Sequence, residues 1–293
     1  MKKMNTGKGD RFIFLVFLAI VLTVWKINLS PFPVHAENKT PAIIIPYDTI
    51  TSPGIEVWPQ AKVIAKKFRI IERPAGGERI EFTEGDRYLG LALTGGDGVG
   101  VIRYTPLGEG MHKIKVRLIP ASVYSAEEGE LLIGVWNLSR QLLLVSVEAL
   151  REKQEEIRFP FIGRIKKDGE RRPMEGAVYI LSALSRRFNI VYLYRGDLAQ
   201  VSGIRSWLYQ NRFPVSPILI GDNGMTPLNK VLADRKKNIK GAVVTAGDEA
   251  EPLQKEGIRT LLLVEKKRQS EYKGKLKETT LVTDWKEIKK EIQ

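Results

Sequence analysis

The fold of the second half of the chain is decided by residues 189–197, which read Asn-Ile-Val-Tyr-Leu-Tyr-Arg-Gly-Asp. Its nearly continuous apolar run is typical of a strand that is buried on both faces, as the strands of a parallel sheet are. Gly196 and Asp197 then supply a turn, and residues 201–211 have the spacing of a helix. Strand, turn and helix together predict one unit of an α/β fold.

The same alternation extends to both sides of this stretch. Further strands are predicted at residues 130–135, 142–147, 217–220, 241–245 and 260–264. Helical spacing occurs at residues 175–188, 227–237 and 250–256. The alternation predicts a parallel sheet covered on both faces, a three-layer Rossmann-like α/β domain at residues 128–293. Its residues 265–278 are rich in Lys, Arg and Glu and are interpreted as a solvated segment.

The first half has a different pattern. Short runs rich in β-branched and aromatic residues occur at residues 42–45, 61–65, 79–83, 88–94, 100–104 and 112–118. Turn signals separate them, and no helical periodicity interrupts them. Short strands at such regular spacing predict an all-β antiparallel sandwich at residues 40–120. The chain is therefore expected to be multidomain.

Residues 1–36 have the pattern of a secretory signal. Four basic residues precede an apolar run at residues 12–25, and Val34-His35-Ala36 places small residues at the −3 and −1 positions of a cleavage site. An extracytoplasmic protein is expected. It is secreted if the segment is cleaved, and membrane-anchored if the segment is retained.

Composition excludes several classes of chemistry. The chain has no cysteine, and its two histidines are His35 and His112. Ser-His-Asp triads, Cys-His pairs and multi-histidine zinc sites are therefore nearly ruled out. The formal charge is +13, which favours envelope components such as anionic lipid or wall polymer as partners, or else a merely solvated surface. Nucleic acid is the least favoured partner, because no reader motif is present.

Part of the first half resembles bacterial immunoglobulin-like domains. The resemblance rests on Gly-Glu-Arg-Ile-Glu-Phe at residues 77–82, Thr-Gly-Gly-Asp-Gly at 94–98, Tyr-Thr-Pro at 104–106 and Gly-Met-His-Lys-Ile at 110–114. It implies a spacer or adhesive module rather than a particular ligand.

Three predicted strands of the second half end in acidic turns. These turns contain Asp197, Asp222 and Asp248. Carboxylates that converge at one sheet edge could hold magnesium, which takes oxygen ligands. The alternative is that Gly-Asp pairs simply make turns, and for any single one of the three that interpretation is favoured.

This half resembles the haloacid dehalogenase-like superfamily, and within it the carboxy-terminal domain of lipins and phosphatidylinositol-transfer proteins. The matching segments are residues 172–177, 188–193, 206–208 and 213–214, followed by Lys230 and by Gly-Asp at 247–248. The resemblance implies a phosphatase-like fold in which Lys230 neutralises phosphate and Asp248 binds metal.

The departures from that family concern its catalytic residues. Members carry "D-x-D-x-T" after the first strand, where this chain has Val135, Asn137 and Ser139. Tyr194 stands in place of a Thr, and the expected Gly-Arg pair is inverted to Arg195-Gly196. Valine cannot form an aspartyl-phosphate, and asparagine has no useful proton-transfer pKa.

These observations predict a catalytically degenerate phosphatase-like domain with a binding or structural role in the cell envelope. The alternative is a metal-dependent phosphoester hydrolase whose rewired site uses Asp248 with Asp222 or Asp197. The candidate vestigial pocket comprises Val135, Asn137, Ser139, Tyr194, Arg195, Asp197, Asp222, Lys230 and Asp248.

Overall fold

The computed structural model describes residues 39–67, 71–152, 156–159, 163–166, 171–221, 235–272 and 279–292. Every strand and helix in these ranges belongs to one compact unit, Thr40–Gln293. The predicted signal segment, residues 1–36, lies outside the described residues. Within the described ranges, no helix is both long enough and apolar enough to cross a membrane.

The amino-terminal part is built from strands alone. Its described strands are β1 Thr40–Tyr47, β2 Thr49–Thr51, β3 Gln60–Lys67, β4 Ile71–Pro74, β5 Arg79–Glu84, β6 Arg87–Leu93, β7 Val99–Val101, β8 Gly110–Leu118, β9 Tyr124–Ser125 and β10 Gly129–Val135. One sheet has the order β4-β3-β1-β9, with β7 also paired to β3. The other sheet has the order β2-β10-β8-β5-β6.

Strand β8 shows why these segments form a sheet with a buried face. Ile114 and Val116 are fully buried, whereas Lys113, Lys115 and Arg117 alternate with them and pair with carboxylates of neighbouring residues. This is the period of two expected of a half-buried strand. Apolar side chains of both sheets meet in one core cluster. The predicted β-sandwich is therefore confirmed.

The position of strand β10 contradicts a prediction from the sequence. Residues 130–135 were expected to begin the second domain, at residues 128–293, but β10 pairs with β8 and β2 in the sandwich. Leu131, Ile133 and Val135 face the sandwich core, and Leu132 on the opposite face is also buried. A strand covered on both faces has a continuous apolar sequence, which is why β10 resembles a parallel strand.

The carboxy-terminal part contains a six-stranded sheet whose strands are all parallel, in the order β15-β14-β11-β16-β17-β18. The elements of this part, in chain order, are β11 Leu142–Ser146, β12 Glu156–Phe159, β13 Gly163–Lys166, α1 Ala177–Leu184, β14 Asn189–Tyr194, α2 Val201–Gln210, β15 Ile218–Ile220, β16 Ile239–Val244, α3 Gly247–Lys255, β17 Thr260–Leu263, α4 Gln269–Tyr272, β18 Thr279–Val282 and α5 Trp285–Ile292. Strands β12 and β13 form a separate hairpin.

Helices pack on both faces of this sheet. Side chains of α1, α2 and α5 share one core cluster with one face of the strands. Residues of α3 share another cluster with the opposite face. The period of the strands distributes their apolar residues between these two clusters, because successive side chains point to opposite faces.

Asp48, between β1 and β2, ties the sandwich to the parallel sheet. Its carboxylate accepts hydrogen bonds from the backbone N–H of Leu132 at 2.8 Å and of Ile218 at 2.7 Å. Arg205 of α2 donates to both carboxylate oxygens, each at 2.8 Å. Burial raises the pKa of the Asp48 carboxyl, whereas the Arg205 charge and the two backbone N–H groups act to lower this pKa.

Candidate functional site

The candidate site lies at the carboxyl ends of β11 and β16. Strands β14 and β15 continue the sheet on the side of β11, and β17 and β18 continue it on the side of β16. The strand order therefore reverses between these two strands, and open parallel sheets bind ligands in the crevice at such a point. Ser146 is the last residue of β11, and Thr245 follows the last residue of β16.

Glu249 of α3 joins the two strand ends. Its carboxylate accepts a hydrogen bond from the Ser146 hydroxyl (Oγ to Oε1, 3.0 Å) and another from the backbone N–H of Thr245, also at 3.0 Å. Glu249 lies in the first turn of its helix, where free N–H groups and the helix dipole stabilise a carboxylate. Ser146 is only 1% exposed, so its hydroxyl is held inside the protein against Glu249.

Arg195, the first residue after β14, forms an ion pair with Asp248 across this edge. Its guanidinium lies 2.9 Å from Oδ2 of Asp248. The Asp248 side chain is 70% exposed, and an exposed pair of this kind contributes about 0.2–1 kcal/mol to stability. The described residues around Arg195, Asp248 and Glu249 enclose a cavity of about 20 Å³, which is room for about one water molecule.

Glu148 lies two residues beyond Ser146, in a 3-10 helix at Val147–Leu150. Arg171 donates a hydrogen bond to its carboxylate, and Arg151 lies 3.6 Å from its other oxygen. The Arg151 guanidinium also stacks 4.7 Å from the centre of the Trp207 ring, and burial lowers the pKa of Arg151. Glu148 is therefore paired with two cations instead of being a free carboxylate.

Tyr194 closes the carboxyl end of β14. The residue is 5% exposed, and its hydroxyl donates to Oε1 of Gln200 at 3.2 Å. Burial raises the pKa of Tyr194, and the nearby Asp197 carboxylate raises this pKa further. The phenol is therefore protonated at neutral pH and occupies the end of the strand.

Three of the predicted site residues are not at this edge. Val135 is fully buried in the sandwich core. The Asn137 amide donates to Glu109 at 2.7 Å, and its carbonyl oxygen accepts from the Ser139 backbone N–H at 2.9 Å. Because residues 137–139 precede β11, they lie at the amino end of that strand. The prediction that they follow the first strand of the parallel sheet is wrong, since β10 is a sandwich strand.

The remaining predicted residues divide into three groups. Arg195, Asp248 and Tyr194 lie at the candidate edge, as described above. Asp197 accepts a hydrogen bond from the Ala199 backbone N–H at 2.9 Å, which makes it the cap of a short 3-10 helix. Asp222 and Lys230 lie outside the described residues.

The carboxylates at this edge raise the question of a magnesium site. In the described part of the chain, no group of three or more His, Asp or Glu side chains is arranged to hold a metal ion. Asp248 is paired with Arg195, and Glu249 is hydrogen-bonded to Ser146. Magnesium prefers several oxygen ligands that are free to bind it. The described residues of this edge therefore do not fit the ion as they stand.

Sequence reasoning missed Ser146 and Glu249. The strand that ends at Ser146 was predicted, but it was counted as the second of the domain instead of the first. Once β11 is the first strand of the sheet, the segment Ser146-Val147-Glu148 follows it directly. A polar residue directly after an apolar strand was the available signal.

Comparisons with known proteins add little beyond this description. No protein-family model matches the chain, and no curated protein matches it at a significant level. A CARDB domain from Pyrococcus furiosus is 12% identical, covers 33% of this chain and 96% of its own, and has a TM-score of 0.24. Fibronectin(III)-like modules of CbhA from Clostridium thermocellum are 12% identical, with coverages of 32% and 94% and a TM-score of 0.23.

Domains 4 and 5 of the S-layer protein SbsC are also similar, at 8% identity, with coverages of 31% and 49% and a TM-score of 0.20. TM-scores this far below 0.5 support no conclusion about fold or function. The class of the protein therefore follows from its own sheets. It is a β-sandwich joined to a six-stranded parallel sheet.

Proposed function

We propose that this chain is an exported cell-envelope protein with a binding or structural role, and that its parallel-sheet part is a phosphatase-like domain that has lost the transfer chemistry. Export is inferred from the signal pattern of residues 1–36. The relation to haloacid dehalogenase-like phosphatases is inferred from the motifs quoted above.

One observation carries this proposal. The residue at the end of the first parallel strand is Ser146, and its hydroxyl is hydrogen-bonded to Glu249 at 3.0 Å. In the resembled family this place belongs to the aspartate that attacks phosphorus, and a second aspartate follows two residues later. Here the second place is Glu148, whose carboxylate is paired with Arg171.

The size of the crevice supports the same conclusion. The cavity lined by Arg195, Asp248 and Glu249 has a volume of about 20 Å³, whereas pockets for small-molecule ligands are about 300–1,000 Å³. Tyr194 occupies the end of β14. A phosphate ester does not fit this cavity, and the first parallel strand supplies no aspartate nucleophile at its end.

The test is hydrolysis of a panel of phosphate esters by residues 37–293, with magnesium and with chelator. We expect no turnover from the wild-type protein. A variant with Ser146→Asp and Glu148→Asp restores the two aspartates at the strand end found in the structure. Any turnover gained by this variant would support descent from a phosphatase.

Asn137→Asp is the matched control, because Asn137 lies at the opposite end of β11 and makes its contacts in an exposed position. It is expected to leave hydrolysis unchanged. Metal-dependent turnover by the wild-type protein that disappears in Asp248→Asn would contradict the proposal and would indicate a rewired hydrolase.

A further inference from the structure

A two-stranded ribbon at one edge of the sandwich presents an unusual outer face. Residues 54–60 run antiparallel to residues 101–107, held by hydrogen bonds from Gly54 N to Pro106 O at 2.8 Å and from Ile102 N to Pro59 O at 3.0 Å. Val57 pairs with Tyr104 in the same register. The inward side chains of this ribbon are buried in the sandwich core.

The outward side chains alternate with the buried ones. The register that pairs Val57 with Tyr104 places Trp58 opposite Arg103 and Glu56 opposite Thr105. All four are exposed, and Trp58 is 47% exposed. These four residues are called the Trp58 strip below. Neighbouring rows on one face of a strand are about 7 Å apart, so the strip is long enough to contact a sugar ring and its hydroxyl groups.

Arg103 holds the indole in place. Its guanidinium lies 4.9 Å from the centre of the Trp58 ring, a cation–π contact that stabilises the pair by about 0.5–1 kcal/mol at an exposed site. Because 47% of Trp58 is still exposed to solvent, part of the indole surface remains accessible despite the contact with Arg103. The ring is therefore both exposed and oriented.

Within the described part of the chain, the polar groups of the strip have no partner outside the strip. In the described residues, the Glu56 carboxylate and the Thr105 hydroxyl make no hydrogen bond or ion pair, and Arg103 has only its contact with Trp58. The charged ladder on the neighbouring β8 is different, because its Lys and Arg side chains are paired. The strip therefore combines an oriented aromatic ring with an acceptor, a donor and a hydroxyl, all uncommitted.

We propose that the Trp58 strip binds a glycan chain. The indole face carries a negative quadrupole, which attracts the polarised C–H groups on one face of a pyranose ring. The ring hydroxyls would then donate to Glu56 and accept from Arg103, with Thr105 able to do either. A lipid surface fits less well, because the Glu56 carboxylate of the strip would have to be desolvated.

Glycan binding by the sandwich does not require the parallel sheet to be inactive. A failure of glycan binding would leave the hydrolysis result unchanged. Turnover of phosphate esters, conversely, would leave the glycan result unchanged. The two proposals therefore fail separately.

The experiment applies residues 37–293 to an array of neutral glucans, xylans, chitin oligosaccharides and peptidoglycan-derived glycans at high salt, which suppresses charge-driven binding. Binding to at least one glycan class is expected. Isothermal titration with that glycan then gives the affinity. Trp58→Ala should weaken it by about tenfold or more, the scale of losing an aromatic anchor, whereas Trp58→Phe should retain most of it.

Glu56→Gln and Arg103→Ala, which change the polar groups of the strip, are also expected to weaken glycan binding. Tyr209→Ala is the matched control, because Tyr209 is an aromatic residue that is 77% exposed on α2; it should bind like the wild-type protein. Circular dichroism of every variant checks folding. Absence of binding across the array, equal binding by Trp58→Ala, or binding only to lipid vesicles or to another protein would overturn the proposal.

Discussion

The Asp48 carboxylate should be the most sensitive polar group of the described structure. It is fully buried and accepts hydrogen bonds from Leu132 in the sandwich, from Ile218 in the parallel sheet and from Arg205. Asp48→Ala leaves two backbone N–H groups without their acceptor, at about 1–3 kcal/mol each. It also leaves Arg205 without its counter-ion.

Breaking a buried ion pair by removing one partner costs about 3–5 kcal/mol. Because the Arg205 side chain is 21% exposed, its charge can turn partly towards water, and we expect the lower half of that range. Asp48→Ala should therefore reduce the free energy of unfolding by about 3–4 kcal/mol. Asp48→Asn keeps one acceptor, but it also removes the counter-ion of Arg205 and places an amide N–H₂ group against a donor, so it should likewise cost about 3 kcal/mol.

Urea unfolding measures this effect. Far-ultraviolet circular dichroism and tryptophan fluorescence should give the same midpoint for the wild-type protein, because Asp48 links the sandwich to the parallel sheet. Asp86→Asn, in an exposed turn, is the control and should stay within about 0.5 kcal/mol. A loss below about 1 kcal/mol for Asp48→Ala would refute the claim that this carboxylate holds the two parts together.

Three further perturbations follow from the described contacts. Burial and the Glu84 carboxylate raise the pKa of Tyr104 to about 12 from 10.0. The stability that the protonated phenol contributes is therefore complete below pH 10 and is lost as pH rises through 12. In urea unfolding over this pH range, Tyr104→Phe should lose less stability than the wild-type protein. Trp285→Ala removes a fully buried ring and should cost about 3–5 kcal/mol, measured in urea. Magnesium or chelator should leave the melting temperature unchanged, because Asp248 and Glu249 already have protein partners; an increase with magnesium would contradict this.

Much of the fold follows from sequence periodicity. The alternation of β8 predicts a half-buried sandwich strand, and the apolar run of β14 predicts a doubly covered parallel strand; both are confirmed. The same reasoning fails for β10, because Leu132 on its outer face is buried as well, so its sequence resembles that of a parallel strand. The hydrophobic pattern of a strand indicates how many of its faces are buried. It does not indicate which neighbouring element covers each face.

Strand β18 was missed for a related reason. Residues 265–278 are dominated by charged side chains and were interpreted as a solvated segment, with a short helix from Asp284 onward and no strand in between. β18 is a short edge strand with partly exposed threonines, and it is held by pairing with β17. Its place depends on a non-local partner that local composition does not reveal.

The error at β10 also displaced part of the candidate site. Counting β10 as the first parallel strand put Val135 at the end of that strand, whereas in the sheet the first parallel strand is β11, which ends at Ser146. Arg195 and Asp248 were predicted at the correct edge, because they follow strands that were correctly identified. The predicted loss of chemistry does not depend on this shift, since neither Val135 nor Ser146 supplies a carboxylate.

The use of polar side chains distinguishes the two parts of the molecule. At the parallel-sheet edge, Glu249 is bonded to a hydroxyl, Asp248 to an arginine and Glu148 to two arginines. Each of these three carboxylates therefore already has a protein partner. On the sandwich, by contrast, Glu56 and Arg103 flank an exposed indole without pairing in the described residues. Uncommitted polar groups beside an oriented aromatic ring are what a binding surface requires, so recognition is expected on the sandwich and not at the strand ends.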